Sequence, residues 1–341
     1  MISRKRYFVL MATLCTLLLL TMLVSLGVGS VELTLSQVMG ALGPQSPGSD
    51  VMARAIVWNL RLPRVLLACL IGGGLAAAGA AFQGLFRNPL ADPYVVGASG
   101  GAALGATLVI VSGFSFSAAG LGPVPLAAFV GALAAVAIVY LVAETGGMAS
   151  AIALLLAGAA LGTVLTALVT LVMILNDKTL HETFNWILGS LSGRGWPYVK
   201  AVWFYLLGGM ALLWLLSRPL DALAWGEDTA KTLGLPLSRG RTAVVGGATV
   251  TTAAAVAAAG AIGFIGLIAP HVARLIVGAS HHRMIPASIL IGALLLVIAD
   301  DVARTIAAPL EIPVGVMTAL IGGPFFLYLL KTRQRELGGW R

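Results

Sequence analysis

Charge is what this chain has least of. Lys, Arg, Asp and Glu make up 10% of its 341 residues, against about 25% in an average soluble domain, so it lacks the polar surface that would keep a globule of this size in water. Cysteine is also sparse. Cys15 and Cys69 lie far apart in apolar stretches, without the spacing of a disulfide framework or a metal site, and both read as small core residues. No Gly-rich loop followed by Lys-Ser/Thr is present to cradle nucleotide phosphates, and His181-Glu182 lacks the second His of a zinc-hydrolase helix. These absences argue against a soluble protein and against a chain that powers itself with ATP, and nothing points to an enzyme, a metal centre or a cofactor site.

What is present is apolar sequence in runs long enough to span a bilayer, which takes roughly 20 residues as helix. Ten spans are expected, near 7–28, 63–85, 94–112, 122–143, 150–175, 198–217, 242–261, 263–279, 286–305 and 313–331. The runs are continuous, where a transmembrane barrel would show short alternating segments. The fold class is therefore all-α, a polytopic bundle of ten membrane helices forming a single domain over 1–341. Glycine is abundant, at 42 residues, which suits helices that approach closely in lipid. Arg4-Lys5-Arg6 followed by Tyr7 to Val28 exceeds the apolar core of a signal peptide, about 7–15 residues, and reads as a retained first span.

Charge distribution gives a topology. With ten spans both termini lie on one side, and placing that side in the cytoplasm puts 14 of the 21 Lys and Arg inside, in accord with the positive-inside rule. The net charge of +8 then reflects topology, and nucleic acid is not needed to explain it. Seven charged residues, Arg218, Asp221, Glu227, Asp228, Lys231, Arg239 and Arg241, crowd into residues 218–241, a cytoplasmic loop placed to touch a soluble partner. Within it Gly226 to Gly234 reads as a short helix, with acidic residues leading, Lys231 following, and Gly234 and Pro236 ending it.

Other segments carry shorter signals. Arg61-Leu62-Pro63-Arg64 opens the second span on the outer side with two arginines on one helix face. Arg87 to Pro93 is an Asn-Pro, Asp-Pro turn on the inner side. Asp300 and Arg304 stand one helical turn apart and are expected to pair within their helix, and His281 and His282 read as solvated residues of a cytoplasmic turn. An internal echo also exists. Ala76-Ala77-Ala78-Gly79-Ala80 recurs as Ala257 to Ala261, with Pro89 and Pro270 each ten positions after the glycine, as in transporters built from two repeats.

Taken in order, nine short motifs resemble the FecCD-type permeases of ABC importers for iron-siderophore, haem or cobalamin. They are Arg61-x-Pro63-Arg64, Gly79-x-x-x-Gln83, Asn88-Pro89-Leu90-Ala91-x-Pro93, Gly97-x-Ser99-x-Gly101, Trp186-x-x-Gly189-Ser190-Leu191, Gly226-Glu227-x-x-Ala230-x-x-Leu233-Gly234, Gly263-Phe264-Ile265-Gly266-Leu267-x-x-Pro270-His271-x-x-Arg274, Ala299-Asp300-x-x-Ala303-Arg304 and Pro313-x-Gly315. The resemblance implies a type II importer permease in the bacterial inner membrane, working as a homodimer with a cytoplasmic ATP-binding subunit and a periplasmic binding protein that delivers a metal chelate. It implies that Gly226, Glu227, Ala230, Leu233 and Gly234 couple to the ATPase, that Arg61, Arg64 and Arg304 dock the binding protein, that Asn88, Pro89, Glu144 and Thr145 form a cytoplasmic gate, and that the fifth span lines the path. Asn185 stands before Trp186, where an aromatic residue is expected. The competing reading is an ion-coupled secondary transporter, a class that often places acidic residues or His near the midplane; no such group is evident deep in the ten spans.

Overall fold

The structure is a computed structural model describing residues 3–44, 50–117, 120–145, 148, 149, 151–225 and 237–337. Backbone N–H and C=O groups have no water to bond in lipid, so continuous apolar sequence folds as helix, where each residue closes its own hydrogen bond. The helices are α1 (Arg4–Gly27), α2 (Leu35–Leu42), α3 (Val51–Ala55), α4 (Leu62–Phe86), α5 (Ala98–Ser112), α6 (Pro123–Ala143), α7 (Ala151–Leu175), α8 (Leu180–Ile187), α9 (Trp196–Leu215), α10 (Ser217–Trp225), α11 (Leu237–Ala259), α12 (Ile265–Val277), α13 (His281–Thr305) and α14 (Val314–Leu337). A π-helical turn, Ile56–Arg61, joins α3 to α4.

Among the described residues, seven helices are long and apolar enough to cross a membrane, and Ala98–Ser112, Ile265–Val277 and Val314–Tyr328 are shorter apolar helices. The expected third span loses its first residues for a local reason. Asp92 caps a 3-10 turn over Pro93–Val96, and Gly97 at φ 87° resets the chain before α5 begins. The expected eighth span shrinks to 13 residues because Gly260 (φ 74°) and Phe264 (φ 69°) keep the chain out of helix between α11 and α12.

The bundle is organised around α4. In its most apolar stretch 83% of residues are buried, against 11% in α1 and 17% in α7. Helices α9, α11, α12 and α13 pack around it. The sequence reason is the small-residue face of α4: a Cβ on Gly72 would overlap the Gly292 carbonyl of α13, and one on Gly79 would overlap the Gly266 carbonyl of α12, so these backbones touch directly. A second layer, α5 to α7, uses the same device, with Gly101 and Gly131 each lying against the other's carbonyl. Helix α1 lies outside, pinned to α13 near both ends by Tyr7 Oη to the Arg283 carbonyl (3.4 Å) and Ser25 Oγ to Asp301 (2.7 Å). The internal echo does not mark equivalent positions: Gly79 lies inside α4, whereas Gly260 ends α11.

Ala has the better helix propensity by about 1 kcal/mol, so Gly79→Ala tests packing against propensity. It is expected to lower the melting temperature of the detergent-purified protein, since overpacking costs about 1–3 kcal/mol. Gly162→Ala, at a position with open space around it, is expected to leave that temperature unchanged or raise it.

Candidate functional site

Polar contacts divide the bundle into two ends and a middle. One end carries the arginines. Arg64 forms a fork with Asp300 of α13, Nε to Oδ2 at 2.8 Å and Nη2 to Oδ1 at 2.9 Å, and its Nη1 reaches Glu311 at 2.9 and 3.1 Å. Arg304 donates to the Ser25 carbonyl (2.8 Å), the Ser25 hydroxyl (2.6 Å) and Asp301. Arg61 donates to the carbonyls of Leu26 (2.7 Å) and Val31. The structure therefore gathers the three predicted docking arginines at one end, but in roles the sequence reading missed. Arg61 and Arg304 are 6% and 4% exposed and turned inward to hold α1, so neither presents a free charge at the surface. Arg64 is 12% exposed and Glu311 37%. The cluster is electrically balanced, with Arg61, Arg64 and Arg304 facing Asp300, Asp301 and Glu311. The expected Asp300–Arg304 pair is long, at 3.9 Å, because Arg64 takes the Asp300 carboxylate. Burial alone would raise the Glu311 carboxyl; Arg64, Ser192 and Arg304 outweigh it and hold it below the usual carboxylate range.

In the middle, three chain breaks interlock. Tyr94 Oη donates to the Ile262 carbonyl and accepts the Ile262 N–H, both at 3.1 Å. Asp92 accepts the N–H of Tyr94 at 2.9 Å and that of Phe264, which holds Phe264 in the left-handed region that a bulky residue rarely adopts. The Phe264 ring fills the place a Gly322 side chain would need. Ser190 N–H bonds the Ala259 carbonyl (2.7 Å), and Gly315 N–H bonds the Gly189 carbonyl (3.1 Å). Below them Gln83 bridges α4 to α12, donating to the carbonyls of Gly266 (3.5 Å) and Leu267 (3.4 Å) and accepting from Arg274 (3.3 Å).

Among the described residues, motifs scattered from 61 to 315 thus fall into one packed framework, and comparison with known proteins agrees. A profile of the FecCD transport family matches residues 17–332. The chain belongs to the FecCD transport family. It is 43% identical over 291 residues, covering 85% of this chain and 77% of the relative, to the cobalamin import system permease protein BtuC of Halobacterium salinarum. It is 41% identical over 283 residues, covering 82% of this chain and 84% of the relative, to the hemin transport system permease protein HmuU of Yersinia pestis. A solved structure described as an inward-facing, metal-chelate type ABC transporter superposes with a TM-score of 0.83 at 32% identity, covering 94% of this chain and 98% of that one.

At the opposite end of this FecCD chain, Asn88 and Pro89 sit in a turn that follows Arg87 in the left-handed conformation, with Asn88 Oδ1 accepting the Leu90 N–H at 3.0 Å. Glu144 and Thr145 pair antiparallel with Ala149 and Met148 between α6 and α7. The predicted coupling residues Gly226, Glu227, Ala230, Leu233 and Gly234 lie outside the described residues; α10, which leads to them, is described. His281 is a correction. It is 3% exposed, with Nδ1 at 2.6 Å from Asp221 of α10, while His282 is exposed and stacks on Trp214 at 5.3 Å. Burial would raise the Asp221 carboxyl, but its hydrogen bonds with and proximity to His281, and the Ser280 hydroxyl, hold it below its ordinary value. The sequence separation of 60 positions left no local signal for this pair.

Helix α7 turns a face away from the bundle. Ala159, Gly162, Thr163, Thr166, Thr170 and Ile174 help line a groove of about 780 Å³. The hydroxyls of Thr163, Thr166 and Thr170 each bond the carbonyl four residues back, at 2.9 Å. Asn185, where an aromatic was expected, is exposed beside Phe184, itself an exposed aromatic. Gly97-x-Ser99-x-Gly101 has the letters of a nucleophile elbow, but a 3-10 turn precedes it in place of a strand and Gly101 is a packing contact.

Breaking a buried ion pair strands its partner at about 3–5 kcal/mol, whereas exposed pairs contribute roughly 0–1 kcal/mol. Asp300→Ala is therefore expected to lower the melting temperature sharply and Glu311→Gln to change it little. The Glu311 contribution has a defined sign. Its folded pKa is depressed, so the contribution is present at neutral pH and is lost as pH falls through the folded value; Glu311→Gln should flatten that acid limb in a melting-temperature titration.

Proposed function

We propose that this chain is the membrane permease subunit of a binding-protein-dependent ABC importer for a bulky metal chelate. The observation that carries the reading is the family match over 17–332, together with relatives named for cobalamin and hemin at 43% and 41% identity. A structural neighbour of metal-chelate type supports it. In this reading the chain is one transmembrane domain of ten spans in the bacterial inner membrane, with both termini cytoplasmic. A second copy would complete the path along α7, ATP hydrolysis would occur on a separate subunit seated at Gly226 to Gly234, and a periplasmic protein would deliver the substrate. The turns at Asn88-Pro89 and Glu144-Thr145 would close the cytoplasmic mouth. The arrangement of contacts supports the topology: Tyr7, Arg87, Asp221, His281 and Arg283 share one end, and Arg61, Arg64, Arg304 and Glu311 share the other.

The charge balance of the arginine end refines docking. An acidic partner meets a neutral cluster whose exposed member is Glu311, with Asp301 and Arg64 mostly buried behind it, so its carboxylate would displace Glu311 from Arg64, with Arg61 and Arg304 fixing the ground beneath. The ion-coupled alternative would need a titrating carboxylate at depth; burial raises the Asp92 carboxyl to about 6 in spite of the Tyr94 and Phe264 N–H groups it accepts, and it is the family match over 17–332 that favours the importer.

Three experiments test the reading. Tagged chain expressed with its neighbouring genes should co-purify with an ATP-binding subunit, and Glu227→Ala or Leu233→Ala should abolish uptake of the transported member among cyanocobalamin, hemin and ferric citrate while leaving membrane insertion intact. Unchanged uptake in both mutants would remove the coupling assignment. Glu311→Gln should tighten binding-protein docking severalfold by vacating Arg64, and a weaker or equal affinity would contradict carboxylate displacement.

A further inference from the structure

We propose that Asp221 is the positioning residue through which α10 grips the α4–α13 pair. The inference rests on the importer reading above, in which Gly226 to Gly234 receive the ATPase. Helix α10 is described to Trp225, the residue before that segment. Asp221 Oδ1 accepts the His281 backbone N–H at 2.8 Å and faces His281 Nδ1 at 2.6 Å, and Oδ2 accepts the Ser280 hydroxyl at 3.2 Å. Ser280, at the N-cap position of α13, makes no side-chain cap bond. Asp221 therefore caps α13 from another element, at the end where the helix dipole favours an anion.

The grip extends to α4. The His281 ring occupies the space a Gly84 side chain would need, and Arg87 Nε donates to the Leu223 carbonyl of α10 at 2.9 Å. One turn of α10 thus holds the first turn of α13 and the last of α4. These two helices then run in backbone contact at Gly72 and Gly292 and are clamped again at the far end by Arg64 and Asp300. Packed elements shift as units in place of bending continuously, so a displacement of α10 at Asp221 is delivered to the arginine end.

The test uses the full permease–ATPase complex in lipid nanodiscs, with Cys15→Ser, Cys69→Ser and an environment-sensitive fluorophore on Thr305→Cys, exposed at the far end of α13. ATP should change the fluorescence of the parent complex. Asp221→Ala should keep ATP hydrolysis within about twofold yet lose most of the ATP-dependent change, and Asp221→Asn, which still accepts the His281 N–H, should keep at least half. A full change in Asp221→Ala overturns the proposal, as does loss of hydrolysis and fluorescence together in a complex that still holds its ATPase. If Asp221→Ala does not assemble, Ser280→Ala, which removes only the Oδ2 contact, should reduce the change, and an undiminished change overturns the proposal. A parent complex that binds no ATPase, or binds one and shows no ATP-dependent change, overturns the importer reading and this inference with it.

Discussion

The structure depends on one constraint: inside lipid, helices must come close without hydrophobic pressure to push them together. Burying Leu against Leu gains little there, because the tails of the bilayer are as apolar as the side chain. The chain meets this with bare backbone. Gly72 and Gly79 on α4, Gly266 on α12 and Gly292 on α13 let main chains touch, so dispersion contacts over the whole approach replace the missing driving force. With α4 fixed as the axis, the remaining polar groups have defined places to go. Arg64 can find Asp300 236 positions away, and Gln83 can staple α12, because those helices are already at a set distance.

The spans were largely legible because hydropathy is a local property. Helix α6 was expected at 122–143 and runs 123–143, and α7 was expected at 150–175 and runs 151–175. The failures came where the chain does something a local pattern cannot encode. Phe264 adopts a positive φ because Asp92, distant in sequence, supplies an acceptor for its N–H. The Asp300–Arg304 spacing suggested an intrahelical pair, yet α4 supplies a better-placed cation. His281 looked like a turn residue, but α10 folds back over it. In each case the decisive partner comes from a distant part of the chain. The motifs were legible as a set for the same reason in reverse, since those among the described residues are the ones that meet when the helices pack.

The two ends of the bundle treat charge differently. At the arginine end three cations and three carboxylates are consumed largely by one another and by carbonyls, leaving a cluster that fastens α1, α4 and α13. At the loop end the pairing of Asp221 with His281 and Ser280 is sparser, and it borrows a helix dipole to strengthen a single carboxylate. The first arrangement suits a fixed joint; the second suits a contact that can bear load and still be remade.

Under the proposed importer reading, the threonines on the exposed face of α7 have a consequence for a substrate passing them. Each hydroxyl proton of Thr163, Thr166 and Thr170 is already given to the helix's own backbone, so the face offers methyl groups and oxygen lone pairs but few free donors. Such a wall wets without gripping. A large passenger with many acceptor oxygens would find nowhere along it to settle, and its residence time would be set by the doors at either end of the corridor.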